Sequence, residues 1–232
     1  EIIDADPLPD IAIPSDDEVI SELAKPYHLT NDQIDFFRKN GFIKLKKVFS
    51  PGAVLKLRAE LINLLKKEFK VDPDQGAYER FLSLEMIWPD NPLLRAYVLS
   101  PRLGQISADL LEVPAVRLYH DNVLAKQAGC GRTPWHFDDH HFPLDTNDVV
   151  TAWAPAQPIP LEMGPLSFAY PLSVHGKSLG CATVLAHIMR ASSSMCTCTG
   201  LCGHVGAASS TVAPGRVHRL SFLDATGYSI VA

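Results

Sequence analysis

Pro134-Trp135-His136-Phe137-Asp138-Asp139-His140-His141-Phe142-Pro143 is the stretch on which the reading of this chain turns. As an extended strand it sends His136, Asp138 and His140 to one side and Phe137 and Asp139 to the other, because successive side chains alternate. An imidazole and a carboxylate two residues apart then share a metal ion from the same side. They make two corners of the two-histidine, one-carboxylate facial triad, which leaves positions open at iron(II) for an oxidant and a co-substrate. The third corner has to come from a distant strand. As a helix, the same stretch would offer His136 and His140 at i, i+4 as a zinc pair, and with a carboxylate a zinc-dependent hydrolase. Pro134, Pro143 and the interleaved aromatics oppose the helix. Asp139 and His141 read as surface groups or as supports behind the ligands. His140 shares the metal side of the strand, where it touches substrate or is an ordinary satisfied polar residue.

Outward from that stretch, the second half of the chain reads as strands: Val116 to Lys126, Trp135 to Phe142, Val149 to Ala154, Phe168 to Tyr170 and Val217 to Leu223. Pro155, Pro158 and Pro160 mark an edge or a turn after the third of these. Residues 178–203 carry no clear period. The first half reads as helices. Thr30 and Gln33 make a capping box that starts one, Ile34 and Phe37 share its apolar face, and Asn40-Gly41 ends it. Phe42 to Leu45 reads as a short strand. Ser50-Pro51 opens a second helix, with Val54, Leu57, Leu61, Leu64 and Leu65 as its stripe out to about Phe69. Ser100-Pro101 opens a third, ending near Glu112. Helices first and strands later predict an α+β fold, with helices on one face of a mainly antiparallel sheet or barrel.

Composition sets the outer bounds. The 232 residues are 47% hydrophobic and 20% charged, enough apolar surface for one domain with a substantial core. A net charge of −5 provides no general basic field for nucleic acid or anionic lipid. Lys44, Lys46 and Lys47 read as a solvated strand edge. No run of about 18 apolar residues offers a membrane span. No basic segment followed by an apolar run opens the chain, which starts at Glu1 rather than Met. The five cysteines, 130, 181, 196, 198 and 202, are odd in number and clustered late, which predicts a reducing, cytoplasmic setting. Residues 1–27, acidic and punctuated by Pro7, Pro9, Pro14 and Pro26, are expected to form an extended arm ahead of a single domain over 28–232.

The order of several motifs resembles the phytanoyl-CoA dioxygenase family, closest to its fungal members. The matching residues are Lys126, Pro134-Trp135-His136-Phe137-Asp138, Val150-Thr151-Ala152-Trp153, Gln157-Pro158-Ile159-Pro160 and Glu162-Met163-Gly164-Pro165-Leu166-Ser167-Phe168. Leu29 to Ser50, with Phe36-Phe37 and Asn40-Gly41-Phe42-Ile43, resembles the family's opening helix and strand. The resemblance implies a double-stranded β-helix, a jelly-roll-like barrel, with the N-terminal helices on one face. It implies iron(II) as metal, 2-oxoglutarate and dioxygen as co-substrates, and a small organic or acyl substrate oxidised, most often hydroxylated, with release of succinate and carbon dioxide. It further implies a late histidine as third ligand and an arginine some ten residues beyond it for the distal carboxylate of 2-oxoglutarate.

Three histidines compete for that ligand: His187, His204 and His218. Leu201-Cys202-Gly203-His204-Val205-Gly206 resembles the family's third-ligand stretch, so His136, Asp138 and His204 are the expected iron ligands. Arg216 follows at a suitable distance, with Arg219 in reserve, and the planar fork of a guanidinium suits a carboxylate. By the same resemblance Trp153 lines the co-substrate pocket; it reads equally as a core residue. The chain also departs from the family. The space before His204 is short and holds Ser192, Ser193, Ser194, Met195, Cys196, Thr197 and Cys198, so the part from about 178 to 232 is shortened and atypical. A non-catalytic, metal-deficient member of the same fold is therefore the alternative reading. Cys196, Cys198, Cys202 and His204 also have the residue types of a structural zinc site, which would take His204 away from iron. Nothing in the sequence speaks to oligomeric state.

Overall fold

A computed structural model of the chain describes residues 10–70, 80–127, 129–131, 133, 148–159 and 166, together with the backbone of strands at 173–174, 177–178, 198–206 and 229–231. Hydrogen-bonding side chains start each of the five helices among the described residues. Thr30 accepts from the backbone of Gln33 while Gln33 reaches back to Thr30, and this box begins α2 (Asn31–Asn40), which Gly41 closes in the left-handed conformation at φ 77. Ser50 caps α3 (Pro51–Phe69), Asn91 caps α4 (Pro92–Val98) and Ser100 caps α5 (Pro101–Leu111). Each of these three begins on a proline, whose missing N–H costs nothing in a first turn.

The expectation of an extended arm over residues 1–27 needs correction. Residues 16–23 form α1 (Asp16–Leu23), with Ser15 and Glu18 as a full capping box. Val19 and Leu23 are spaced i, i+4 and buried in the main core, where α1 lies on α4. Asp16, Asp17 and Glu18 are exposed and sit in the first turn, where the helix dipole favours them. Glu22 accepts from the backbone and hydroxyl of Ser50, at 2.8 and 2.5 Å. Arg102, itself buried, binds Glu22 and the carbonyls of Lys25 and Val48. This one guanidinium ties α1, the cap of α3 and α5 together, satisfying charges that burial would otherwise penalise.

The strands are β1 (Lys44–Lys46), β2 (Phe81–Glu85), β3 (Arg117–Lys126), β4 (Val149–Pro155), β5 (Ser173–Val174), β6 (Lys177–Ser178), β7 (Cys198–Gly206) and β8 (Ser229–Val231). Six of them build one sheet in the order β1-β8-β4-β7-β3-β2, and β5 pairs with β6 separately. All their pairings are antiparallel. β1 is an outer strand and carries Lys44 and Lys46, as the lysine run predicts. The helices cover one face of the sheet, with α5 against β4 and α3 against β7. Val54, Leu57, Leu61 and Leu65 of α3 are fully buried there, each worth about 1.5–3 kcal/mol. Tyr97 crosses the layer to donate to the Ala53 carbonyl at 2.6 Å, and burial holds its phenol well above the usual range. The α+β architecture, helices on one face of an antiparallel sheet, is the one expected. Three of the expected strands, at 135–142, 168–170 and 217–223, lie outside the described residues.

Candidate functional site

The sheet has two faces of opposite chemistry. Alternation along β3 places Asp121, Val123 and Ala125 on the helical side, all three with no exposed surface. Leu82 of β2 and Val150, Ala152 and Ala154 of β4 join them in the core. The other face takes His120, Asn122 and Leu124 of β3, each half-buried, and Thr151 and Trp153 of β4, both buried. Neither Thr151 nor Trp153 belongs to the helical core cluster.

The register of β7, which runs between β3 and β4, sets the rows of that second face. His204 lies directly opposite His120 on one side and Thr151 on the other. Cys202 lies opposite Asn122 and Trp153, and Trp153 pairs in turn with Val231. Partners directly opposite in an antiparallel pair share a face, with Cβ atoms about 4.5–5.5 Å apart. By backbone register, position 204 lies between positions 120 and 151, two residues along β7 from the position opposite Trp153. The register slips between Leu118 and His120, a bulge at Tyr119.

Hydrogen bonds stiffen this wall at its β2 edge. Ser83 donates its hydroxyl to Asn122 Oδ1 at 3.1 Å. Lys126, 5% exposed, donates to the Gly131 carbonyl at 2.9 Å and lies over the Phe81 ring at 5.4 Å. It thus pins the chain where it leaves β3 toward the His136 stretch. A turn follows at once: Cys130 donates to the Gln127 carbonyl at 3.0 Å, with Gly129 at φ 80. Asp121 is a buried carboxylate of β3. It accepts from the backbone of Ile87 and Trp88 at 3.1 and 3.2 Å, fixing the turn between β2 and α4. Burial raises its pKa, against the opposing effect of these hydrogen bonds and of His120. Asp121 faces the helices and is spoken for structurally.

Of the residues expected at the site, Trp153 stands on the site face and His204 has its backbone position there. His136, Asp138, Arg216 and Arg219 lie outside the described residues, as do His187 and His218. Among the described residues no group of three or more histidine, cysteine or acidic side chains could hold a metal. The structural-zinc reading is corrected. β7 is extended from Cys198 to Gly206, so a rise of about 3.3 Å per residue puts Cys198 and Cys202 some 13 Å apart. Both sulfurs cannot then sit about 2.3 Å from one zinc. A zinc that uses Cys198 and Cys202 together is therefore excluded by the backbone. His120 and Asn122 were not picked out from the sequence, where Thr151 figured only within a family motif. The signal was present in β3, where polar residues alternate with apolar ones, but its meaning depends on the strand alongside.

The profile of the phytanoyl-CoA dioxygenase (PhyH) family matches residues 37–173. The peroxisomal phytanoyl-CoA dioxygenase of Mus musculus is 25% identical over 142 residues, which cover 54% of this chain and 42% of that protein. The match thus spans less than half the length of that relative. Among solved structures, the non-heme α-ketoglutarate-dependent carbocyclase SnoK from nogalamycin biosynthesis superposes with a TM-score of 0.65 at 22% identity, covering 82% of this chain and 90% of the other. EctD from S. alaskensis, solved with bound Fe, gives 0.61 at 15% identity, covering 88% and 84%. At these identities the likeness is one of fold.

Proposed function

This chain belongs to the phytanoyl-CoA dioxygenase family, and from that premise we propose that it is an iron(II)- and 2-oxoglutarate-dependent dioxygenase. It oxidises a small organic or acyl substrate, most often by hydroxylation, with release of succinate and carbon dioxide. The observation that carries the reading is the place of β7 in the sheet. Its backbone register puts position 204 opposite both His120 and Thr151, which supports a late histidine near Trp153. Structural neighbours solved with Fe, and with 2-oxoglutarate and 5-hydroxyectoine, support the same cofactors here.

The six-stranded sheet is one wall of a double-stranded β-helix. His136, Asp138 and His204 would hold the iron, and Arg216, whose planar guanidinium suits a carboxylate, would bind the distal end of 2-oxoglutarate. Bound iron(II), with 2-oxoglutarate and dioxygen, supplies the oxidising chemistry. The chain's own part is placement and exclusion of water. Trp153, 9% exposed, walls the pocket with an apolar ring. The helical layer holds β3, β4 and β7 in register behind it. A reducing, cytoplasmic compartment suits the odd cysteine count, and Cys130 is free and buried. Among the described residues no helix is long and apolar enough to cross a membrane.

The test is succinate release from 2-oxoglutarate by purified protein with iron(II) and oxygen. Iron-dependent release, lost in Asp138→Ala, is the expected result. A folded wild-type protein that binds neither iron nor 2-oxoglutarate would make this a non-catalytic member of the fold.

A further inference from the structure

We propose that the outer edge of β2 pairs with the same edge of a second copy of this chain, joining two sheets into one across a two-fold axis. β2 ends the six-strand order, so among the described residues a strand adjoins it only on the β3 side. Its bonds to β3 fix which backbone groups are left over. Gln127 donates to the Arg80 carbonyl and Met86 to the Asp121 carbonyl, both at 3.0 Å. With the register running from Phe81↔Lys126 to Glu85↔Asn122, these bonds assign residues 80, 82, 84 and 86 to the hydrogen-bonded pairs of an antiparallel ladder. The N–H and C=O groups of Phe81, Ser83 and Glu85 therefore point outward. All three residues are exposed, Phe81 by 51%. Proline, lysine and bulges are the devices that usually blunt such an edge. Phe81-Leu82-Ser83-Leu84-Glu85 has neither residue and pairs with β3 without a register shift. β1, at the opposite end of the order, is three residues long and carries Lys44 and Lys46. One edge of the sheet is guarded and the other is open.

The open edge is complementary to itself. A two-fold axis at Ser83 sets Ser83 against the partner's Ser83 and Phe81 against the partner's Glu85. Every outward-pointing residue then falls in a hydrogen-bonded pair, which exchanges two N–H···O bonds. Glu85 of each copy lies beside the partner's Phe81, whose ring carries the Lys126 ammonium at 5.4 Å, so a carboxylate meets a cation across the strands. Because β1 is guarded, each chain offers one edge, and the assembly closes at two chains instead of growing into a filament. A five-residue strand buries less than the roughly 1,200–2,000 Å² of a standard stable interface. Association is therefore reversible and follows protein concentration. The pairing uses β2 and Lys126 alone and is independent of the iron site.

The experiment is sedimentation equilibrium of the full chain over a wide range of concentration, in wild type, Ser83→Lys and Ser83→Ala. Wild type should pass from the mass of one chain, 25.4 kDa, toward twice that mass. Ser83→Lys puts two ammonium groups face to face on the axis and should weaken dimerisation roughly tenfold or more. Ser83→Ala loses the same hydroxyl without adding charge and should dimerise like wild type. If Ser83→Lys does not fold, Ser83→Pro takes its place: it removes the outward N–H, and an edge strand tolerates proline there. The register is read by mild oxidation of Ser83→Cys, which should give a disulfide between two copies, whereas Asp35→Cys, exposed on α2, should give none. A wild type that stays a single chain at every concentration overturns the proposal and leaves the β2 edge to an extended segment of a different protein. A dimer that Ser83→Lys does not weaken and Ser83→Cys does not cross-link also overturns it, because another surface then joins the chains.

Discussion

Leu82 and Ser83 are neighbours on one short strand, and they belong to different parts of the molecule. Leu82 turns to the helices and has 1% of its surface exposed, inside a continuous apolar core. Ser83 turns the other way and donates to Asn122, in the row that continues through Cys202 to Trp153. The same contrast runs through β3, between Val123 and Asn122, and through β4, between Ala152 and Thr151. One face is apolar, closely packed and indifferent to chemistry beyond size. The other mixes histidine, amide, hydroxyl and indole. The difference teaches that a single register decision serves both tasks: the contacts that hold β7 against the helices also bring His204 opposite His120. A slip of one residue would exchange the two faces.

That division can be broken from either side, most forcefully from the helical one. Arg102→Ala removes the cation that joins α1, the start of α3 and α5, leaving Glu22 part-buried without it. A loss of about 3 kcal/mol in urea unfolding is expected. The paired substitution on β2 tests the faces directly. Leu82→Ala should cost about 2–5 kcal/mol through its cavity and leave the iron affinity of the folded protein unchanged. Ser83→Ala should cost no more than about 1 kcal/mol, the net worth of one exposed hydrogen bond. Equal costs for the two would mean that the faces are not divided as described. Ser15→Ala, which removes the cap of α1, should cost about 1 kcal/mol. A larger loss would mean that α1 carries more of the core than its two buried residues.

The smallest expected effect concerns Asp121, the buried carboxylate of β3 on the helical face. Burial raises its pKa above the ordinary value of 3.8. The protonated form is therefore favoured in the folded state. Its stabilising contribution is fully present below that ordinary value and is lost as pH rises through the raised one. The stability of wild type relative to Asp121→Asn should accordingly decline with rising pH across that acidic window. A flat difference would contradict the burial argument.

How much of this could be read beforehand depended on whether a signal was local. Thr30 with Gln33, Ser50 with Pro51 and Ser100 with Pro101 announce helix starts because the chemistry is complete within four residues. Ser15 with Glu18 carries the same information, but acidic residues and prolines around it suggested solvent. Asn91-Pro92, which starts α4, was passed over in the same way. β7 was illegible for a different reason. It contains Gly200, Gly203 and Gly206, poor strand formers, and it is a strand because β3 and β4 pair with it on both sides. His136 and Asp138 were singled out by alternation, and they lie outside the described residues. His120 was not, since its neighbour at 204 is 84 residues away along the chain and appears only with the register.

The most direct test of the central claim is anaerobic titration of the apo-protein with iron(II) and 2-oxoglutarate, followed by visible absorption, in wild type, His204→Ala and His218→Ala. A weak charge-transfer band is expected in wild type and His218→Ala and none in folded His204→Ala. A band that survives in His204→Ala and vanishes in His218→Ala would contradict it, and would move the third ligand off the face that β7 shares with His120 and Trp153.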